Sequence, residues 1–226
     1  MIVMRNSGLL RQTWAGVKIL IVLTVVTGII YPLAVWAVSR TPGLEARAEG
    51  SIVTYQGHAV GSSLIGTNPI DPNAKNDPTN DRYFHTRPSE QAADYSSTDK
   101  AALGLGDINP ASSGASNKGQ SDDTLFAQIA ARKAFIAKRE GVSPAQVPAD
   151  AVTASGSGVD PAISPAYAYL QAARVARVNG LTDAQVRQII AVDVVPPPLH
   201  VLGDPTVNVL ALNIAVATAV TAAHNG

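Results

Sequence analysis

The sequence predicts a single N-terminal transmembrane helix followed by one extracytoplasmic α/β (α+β) domain with a small sheet. Three observations carry this. From Ile19 to Val38 there are 20 consecutive residues without a charged side chain. Basic residues precede that run, and acidic residues occur only after it. Beyond it, short strand-like and helix-like patterns alternate with Gly, Pro, Asn and Asp punctuation.

At about 1.5 Å of rise per residue, the Ile19–Val38 run makes a helix of roughly 30 Å, the thickness of a bilayer's hydrocarbon core. Gly28 and Pro32 are tolerated in such a helix. Trp14, Tyr31 and Trp36 stand near its two ends, where amphipathic rings favour the headgroup zone. Arg5, Arg11 and Lys18 precede the span; Arg40 and Arg47 follow it, diluted by Glu45 and Glu49. The more basic flank stays inside, so the expected layout is a cytoplasmic tail 1–18, a span 19–38, a linker 39–50 and an exported domain 51–226 in the inner (plasma) membrane. A cleaved signal peptide has a shorter apolar region, of about 7–15 residues. A core helix of a soluble domain would be unusually long for being apolar on every side.

Residues 41–226 carry 13 basic and 17 acidic side chains, a net charge of about −4. That balance offers no basic patch for nucleic acid. There is no Cys, which excludes disulfides and thiolate chemistry. The exported part is long enough for one domain with a real core.

Within it, Ser51–Tyr55 and His58–Gly66 read as a hairpin around Gln56-Gly57. Residues 67–82, dense in Asn, Asp and Pro, read as a surface loop, and residues 86–121 as largely irregular with one short helix near Asp99–Leu105. A long helix is expected from Asp122 to Glu140, capped by Ser121 and stopped by Gly141, with Leu125, Ile129, Arg132 or Lys133, and Ile136 on one face. A second begins at Ser164-Pro165 and ends at Asn179-Gly180. A third opens on the capping box Thr182…Gln185 and runs to about Val192. Thr206–Leu212 is expected to be a closing strand.

Chemistry is hard to find. His58, His85, His200 and His224 lie far apart without metal-binding spacing. Gly156-Ser157-Gly158 lacks the strand–turn–helix frame of a nucleophile elbow, and no Gly-Lys-Ser/Thr follows for a phosphate loop. The sequence favours a tight turn with two left-handed glycines, Gly156 and Gly158.

The polar segments matter as an ordered set. Gly61-Ser62-Ser63-Leu64-Ile65-Gly66 is followed by Tyr83-Phe84-His85-Thr86-Arg87-Pro88-Ser89, then by Ser113-Gly114-Ala115-Ser116-Asn117-Lys118-Gly119. Thr153-Ala154-Ser155-Gly156-Ser157-Gly158-Val159-Asp160-Pro161-Ala162-Ile163-Ser164-Pro165 comes next, and Val207–Asn213 closes the series. In this order behind one membrane helix, the chain resembles the KdpC family, the C subunit of the ATP-driven potassium pump KdpFABC, from about Leu10 to Asn213. It departs from the family pattern at Ala115 and Lys118 and in the length of the 67–82 loop.

The resemblance implies a non-catalytic accessory subunit with no cofactor of its own. ATP and potassium would be handled by its partners: a potassium-conducting A subunit, an ATP-hydrolysing B subunit and a small F subunit. It also implies a chaperone-like role that raises ATP use by B. If residues 39–226 are outside, such an effect must pass through the complex. Candidate partner contacts are Gly28 on the span, where another helix can approach closely, and Tyr83, His85, Arg87, Pro88, Asn117, Ser155, Gly156, Ser157, Gly158, Asp160 and Ser164 in the polar motifs. The same motifs read equally as turns that fix the fold. The alternative function is a free-standing anchored hydrolase using Ser157 with His85 or His200.

Overall fold

The computed structural model describes residues 7–74, 77–92 and 103–224. They form two compact units divided after Ser51.

The first unit is an apolar helix and a short tail. Its helix runs unbroken from Gly8 to Ser39, so residues 8–18 are helical and continuous with the apolar run. It comprises α1 (Ser7–Val25), a π-helical turn (Val26–Ile30) and α2 (Tyr31–Ser39). The π turn has a cause in the sequence. Pro32 has no N–H and its ring crowds the carbonyl four residues back, that of Gly28. The chain widens by one residue to accommodate it, and the Tyr31 N–H bonds to Val26 O, five residues back. The ends of the charge-free run are flanked by Lys18 over the Trp14 ring and Arg40 over the Trp36 ring, each 5.6 Å from the centroid. After α2, the short α3 (Glu45–Ala48) brings Glu49 to 2.5 Å and Glu45 to 3.8 Å from Arg40.

The second unit opens with a hairpin, β1 (Ile52–Tyr55) and β2 (His58–Ser62), paired antiparallel from Ile52↔Ser62 to Tyr55↔His58. Positive φ at Gln56 and Gly57 gives the two-residue turn whose twist matches a hairpin. Three helices follow the long irregular stretch: α4 (Asp123–Glu140), α5 (Pro165–Asn179) and α6 (Asp183–Asp193). Asp122, rather than Ser121, caps α4, accepting from Thr124 N at 2.8 Å; Ser121, one residue earlier, stands one position too far from that N–H. Ser164 caps α5 and the Thr182…Gln185 box opens α6 as the sequence predicts. A three-stranded antiparallel sheet of order β3 (Ala162–Ile163), β5 (Thr206–Asn208), β4 (Val194–Val195) sits among them.

The expected closing strand Thr206–Leu212 is corrected. Only Thr206–Asn208 is strand; from Val209 the chain becomes α7 (Val209–His224). Asn208 makes the switch, its Oδ1 accepting the Ala211 N–H at 3.0 Å in the manner of a helix cap. The helix expected near Asp99–Leu105 lies largely outside the described residues.

The core joins Ile136 of α4, Tyr167 and Val175 of α5, Val186 and Ile190 of α6, Val207 of β5 and Leu212 of α7 around Phe84. Phe84 has no regular structure of its own, so side chains must satisfy its backbone. That requirement shapes the polar site around it.

Candidate functional site

The segment from Asp81 to Ser89 crosses the domain as a buried extended strap. Its backbone groups cannot be left unpaired away from water, and two amide side chains serve as the missing neighbouring strand. Asn213 of α7 accepts from Phe84 N at 2.8 Å and donates to Phe84 O at 3.1 Å. Gln171 of α5 accepts from His85 N at 2.8 Å and donates to His85 O at 3.1 Å. Asn68 completes the set. Its amide donates to the carbonyls of Leu105 and Gly106 at 3.0 and 2.9 Å, which leaves Oδ1 to accept from Thr86 N and His85 Nδ1. Neutral His85 therefore carries its proton on Nδ1.

Ionic groups close the strap's other side. Glu140 is buried between two guanidiniums, 2.6 Å from Arg139 Nε and 2.9 Å from Arg174 Nε. Arg139 also donates to the Tyr167 hydroxyl at 2.9 Å, and Arg174 to the carbonyls of Asp81 and Tyr83. Burial opposes the charged form of Glu140, but Arg139 and Arg174 overcome it and hold the carboxyl below its usual range. Asp81 is likewise held well below the carboxylate range: burial resists, while His85, 3.4 Å away, and Arg174 prevail. His85 is pushed down to about 4, first by burial and then by Arg139, with Asp81 only partly offsetting them. Its ring is neutral at ordinary pH.

The Ser/Gly-rich segments lock onto the strap's end. Ser155 N donates to Pro88 O at 2.9 Å, and Ser89 Oγ to Gly158 O at 2.5 Å. Gly114 N reaches Ser157 O at 2.8 Å and Gly66 N reaches Val159 O at 2.7 Å. Three motifs distant in the chain thus meet backbone to backbone around the 155–159 turn. Gly158 is at φ +75°, and a Cβ there would lie 2.6 Å from Gly114 O. Gly156 is not left-handed; one positive-φ glycine is enough because the Ser155 and Ser157 hydroxyls bridge the turn, accepting from the Gly158 and Val159 N–H groups at 3.0 and 3.1 Å.

The predicted site residues sort accordingly. His85, Pro88, Ser155 and Gly158 are interior; Tyr83, Arg87, Asp160 and Ser164 are half-buried; Asn117, Gly156 and Ser157 are exposed. Arg87 pairs with Asp160 at 3.3 Å, and Ser164, besides capping α5, donates through N and Oγ to Asp150. Gly28 lies in the π turn of the apolar helix, with open space where a Cβ would stand. Ser157 finds neither His85 nor His200 beside it. Its hydroxyl is 3.2 Å from that of Ser155, while His85 is enclosed with Asn68 and Asp81 and His200 is exposed. The hydrolase reading gains no support. No cluster of His, Cys, Asp or Glu suited to a metal occurs among the described residues.

Gln171, Asn213, Arg139 and Arg174 were not among the candidate site residues read from the sequence. The signal was there. Gln171 interrupts the buried stripe Tyr167, Ala168, Ala172, Val175 at helical spacing, and Asn213 is the lone polar residue between Val209 and Ala217.

The model of the family described as KdpC, K+-transporting ATPase, c chain, matches residues 13–218. Proteins named potassium-transporting ATPase KdpC subunit are similar over most of their length. The one from Kineococcus radiotolerans is 39% identical over 213 residues, covering 94% of this chain and 96% of the relative. Those of Gemmatimonas aurantiaca (43% over 194 residues, 86% of each chain) and Streptomyces coelicolor (40% over 216 residues, 91% and 92%) agree.

Proposed function

Because the chain belongs to the KdpC family, the c chain of K+-transporting ATPases, we propose that it is the accessory, assembly-promoting subunit of a high-affinity potassium uptake pump. Catalysis lies on another chain. The observation that carries this reading is the match over residues 13–218, which spans both the apolar helix and the interlocked motifs. In this reading an A subunit conducts potassium, a B subunit hydrolyses ATP and a small F subunit completes the complex. Tyr83, Arg87, Asn117, Gly156, Ser157 and Asp160, not wholly buried, remain candidates for touching those partners, and Gly28 for touching them within the bilayer.

The orientation follows the charges. Three basic residues precede the apolar run and two follow it, and Arg40 is neutralised locally by Glu45 and Glu49. This supports a cytoplasmic tail 1–18, a span 19–38, a linker 39–50 and an exported domain 51–226. A domain so placed promotes ATP use by biasing the states of the complex, without touching nucleotide.

Deleting the gene in a cell that depends on this pump should abolish growth at low potassium; undiminished growth would overturn the assignment. Protease added to intact spheroplasts should remove the domain from residue 51 onward, whereas full protection would reverse the orientation.

A further inference from the structure

α7 is predominantly apolar, yet its fully buried residues, Val209, Leu212 and Val216, lie on one face. Its other side borders a groove of about 440 Å³ lined by Val53, Leu210, Ala211, Ile214 and Asp193, among others. Apolar surface continues beside it: Leu64, next to Ser63 of the groove, is 63% exposed, and Val192, next to Asp193, is 72% exposed.

Asp193 is out of place on local grounds. It is the last residue of α6, where the free carbonyls of the helix end disfavour an anion. The groove partly desolvates it, which raises its carboxyl above the usual range. Among the described residues no hydrogen bond or ion pair offsets either effect, unlike Asp183 at the other end of the same helix, which pairs with Arg187 at 2.5 Å.

We propose that this groove docks an apolar segment of another pump subunit, and that Asp193 pairs with a Lys or Arg carried by that segment. The inference rests on the reading of the chain as an assembly subunit. Charge selects the occupant. A second copy docking through the same face would oppose Asp193 to Asp193, since the groove residues include no base, and an anionic lipid headgroup would meet the same carboxylate. A cation arriving on apolar neighbours offsets both local penalties at once by pairing with the carboxylate.

The test is co-expression of the full chain with the other subunits of its pump, an affinity tag on one of those, and quantitation of the chain recovered in mild detergent. Wild type should co-purify. Asp193→Lys should reduce recovery by roughly 30-fold, the scale of a disrupted interfacial charge pair, and Ala211→Trp, which fills the groove, should also reduce it. Asp193→Asn should fall between. The purified Asp193→Lys chain should keep or raise its thermal midpoint, because a cation suits the end of α6; a merely structural Asp193 would lower it. Undiminished recovery of Asp193→Lys and Ala211→Trp overturns the docking site, as does a loss matched by a lower midpoint in both. Dimerisation of the isolated chain that Asp193→Lys abolishes, with pump recovery intact, assigns the groove to a second copy and also overturns it. If wild type itself does not co-purify, the subunit reading fails and takes this inference with it.

Discussion

The strap from Asp81 to Ser89 and the outer face of α7 invert the usual arrangement in opposite ways. Along the strap, polar and charged groups lie inside: His85, Ser89, Gln171, Arg174 and the Glu140 side chain are buried. Almost every one is paired, so the strap has one register and one set of neighbours. Along α7, apolar groups lie outside. Ala211 is exposed and Ile214 half-buried, while adjacent Leu212 is fully buried. Interior polarity that is satisfied specifies a single fold. Exterior apolarity that is not covered contributes nothing to the isolated domain and becomes useful only on assembly. Stability and association are thereby assigned to different faces of one helix: α7 holds the strap through Asn213 and leaves its far side open.

The largest effect should come from breaking the strap's ionic seal. Glu140→Ala leaves Arg139 and Arg174 buried without their shared carboxylate, and removing one partner of a buried network costs about 3–5 kcal/mol. Urea unfolding of the chain should show that loss. Next is Gly158→Val, which combines a β-branched residue at φ +75° with a Cβ placed against Gly114 O. Strain of this kind costs on the order of 1–3 kcal/mol before any clash is added. Ser157→Ala beside it removes one exposed hydroxyl and should cost about 1 kcal/mol or less. Equal effects at the two positions would mean that the 155–159 turn does not anchor the strap.

How much of this was legible in the residues depends on where the deciding interactions lie. α5 and α6 announce themselves because their caps, Ser164-Pro165 and Thr182…Gln185, act within one turn of chain. The hairpin is legible for the same reason. α7 was not, since Val207 and Val209 read as strand and nothing local says that Asn208 will turn to cap Ala211. The motifs were visible as an ordered set, yet their placement was not. Ser, Gly and His conventionally read as surface, and only long-range partners such as Gln171, 86 residues from His85 in sequence, draw them inside. The pairing of Arg139 and Arg174 on one glutamate has no local signature either.

Titration probes the strap more gently than substitution. His85 has a folded pKa lowered to about 4 against an ordinary value near 6.5. The unfolded chain therefore binds a proton, and the folded one does not, between those values. Stability should be complete above about pH 6.5 and should decline as pH falls toward about 4, by roughly 3 kcal/mol in all. Asp81 and Glu140, whose folded values are depressed, add their losses only at lower pH, as the folded protein resists the protons that unfolded carboxylates take up near pH 4. Thermal midpoints from pH 7 to 4.5 should fall steadily, and His85→Gln, though less stable throughout, should flatten that slope. A slope unchanged by His85→Gln would assign it to another group and remove His85 from the strap's proton balance.

The smallest effect on folding belongs to the other region, and it sharpens the comparison most. Ala211→Gln changes an exposed position of α7, one residue from fully buried Leu212. Gln is a good helix former, and surface substitutions of this sort usually stay within about 0.5 kcal/mol. Leu212→Ala, its neighbour, should cost about 2–5 kcal/mol by leaving a cavity in the core. If α7 is divided as described, chemical denaturation will separate these adjacent residues by several-fold, and growth at low potassium will be impaired by both. Ala211→Gln would act there through assembly alone, with folding intact. A growth phenotype for Leu212→Ala without one for Ala211→Gln would mean that the outer face of α7 tolerates polarity in the working pump, and the division of labour between its two faces would be lost.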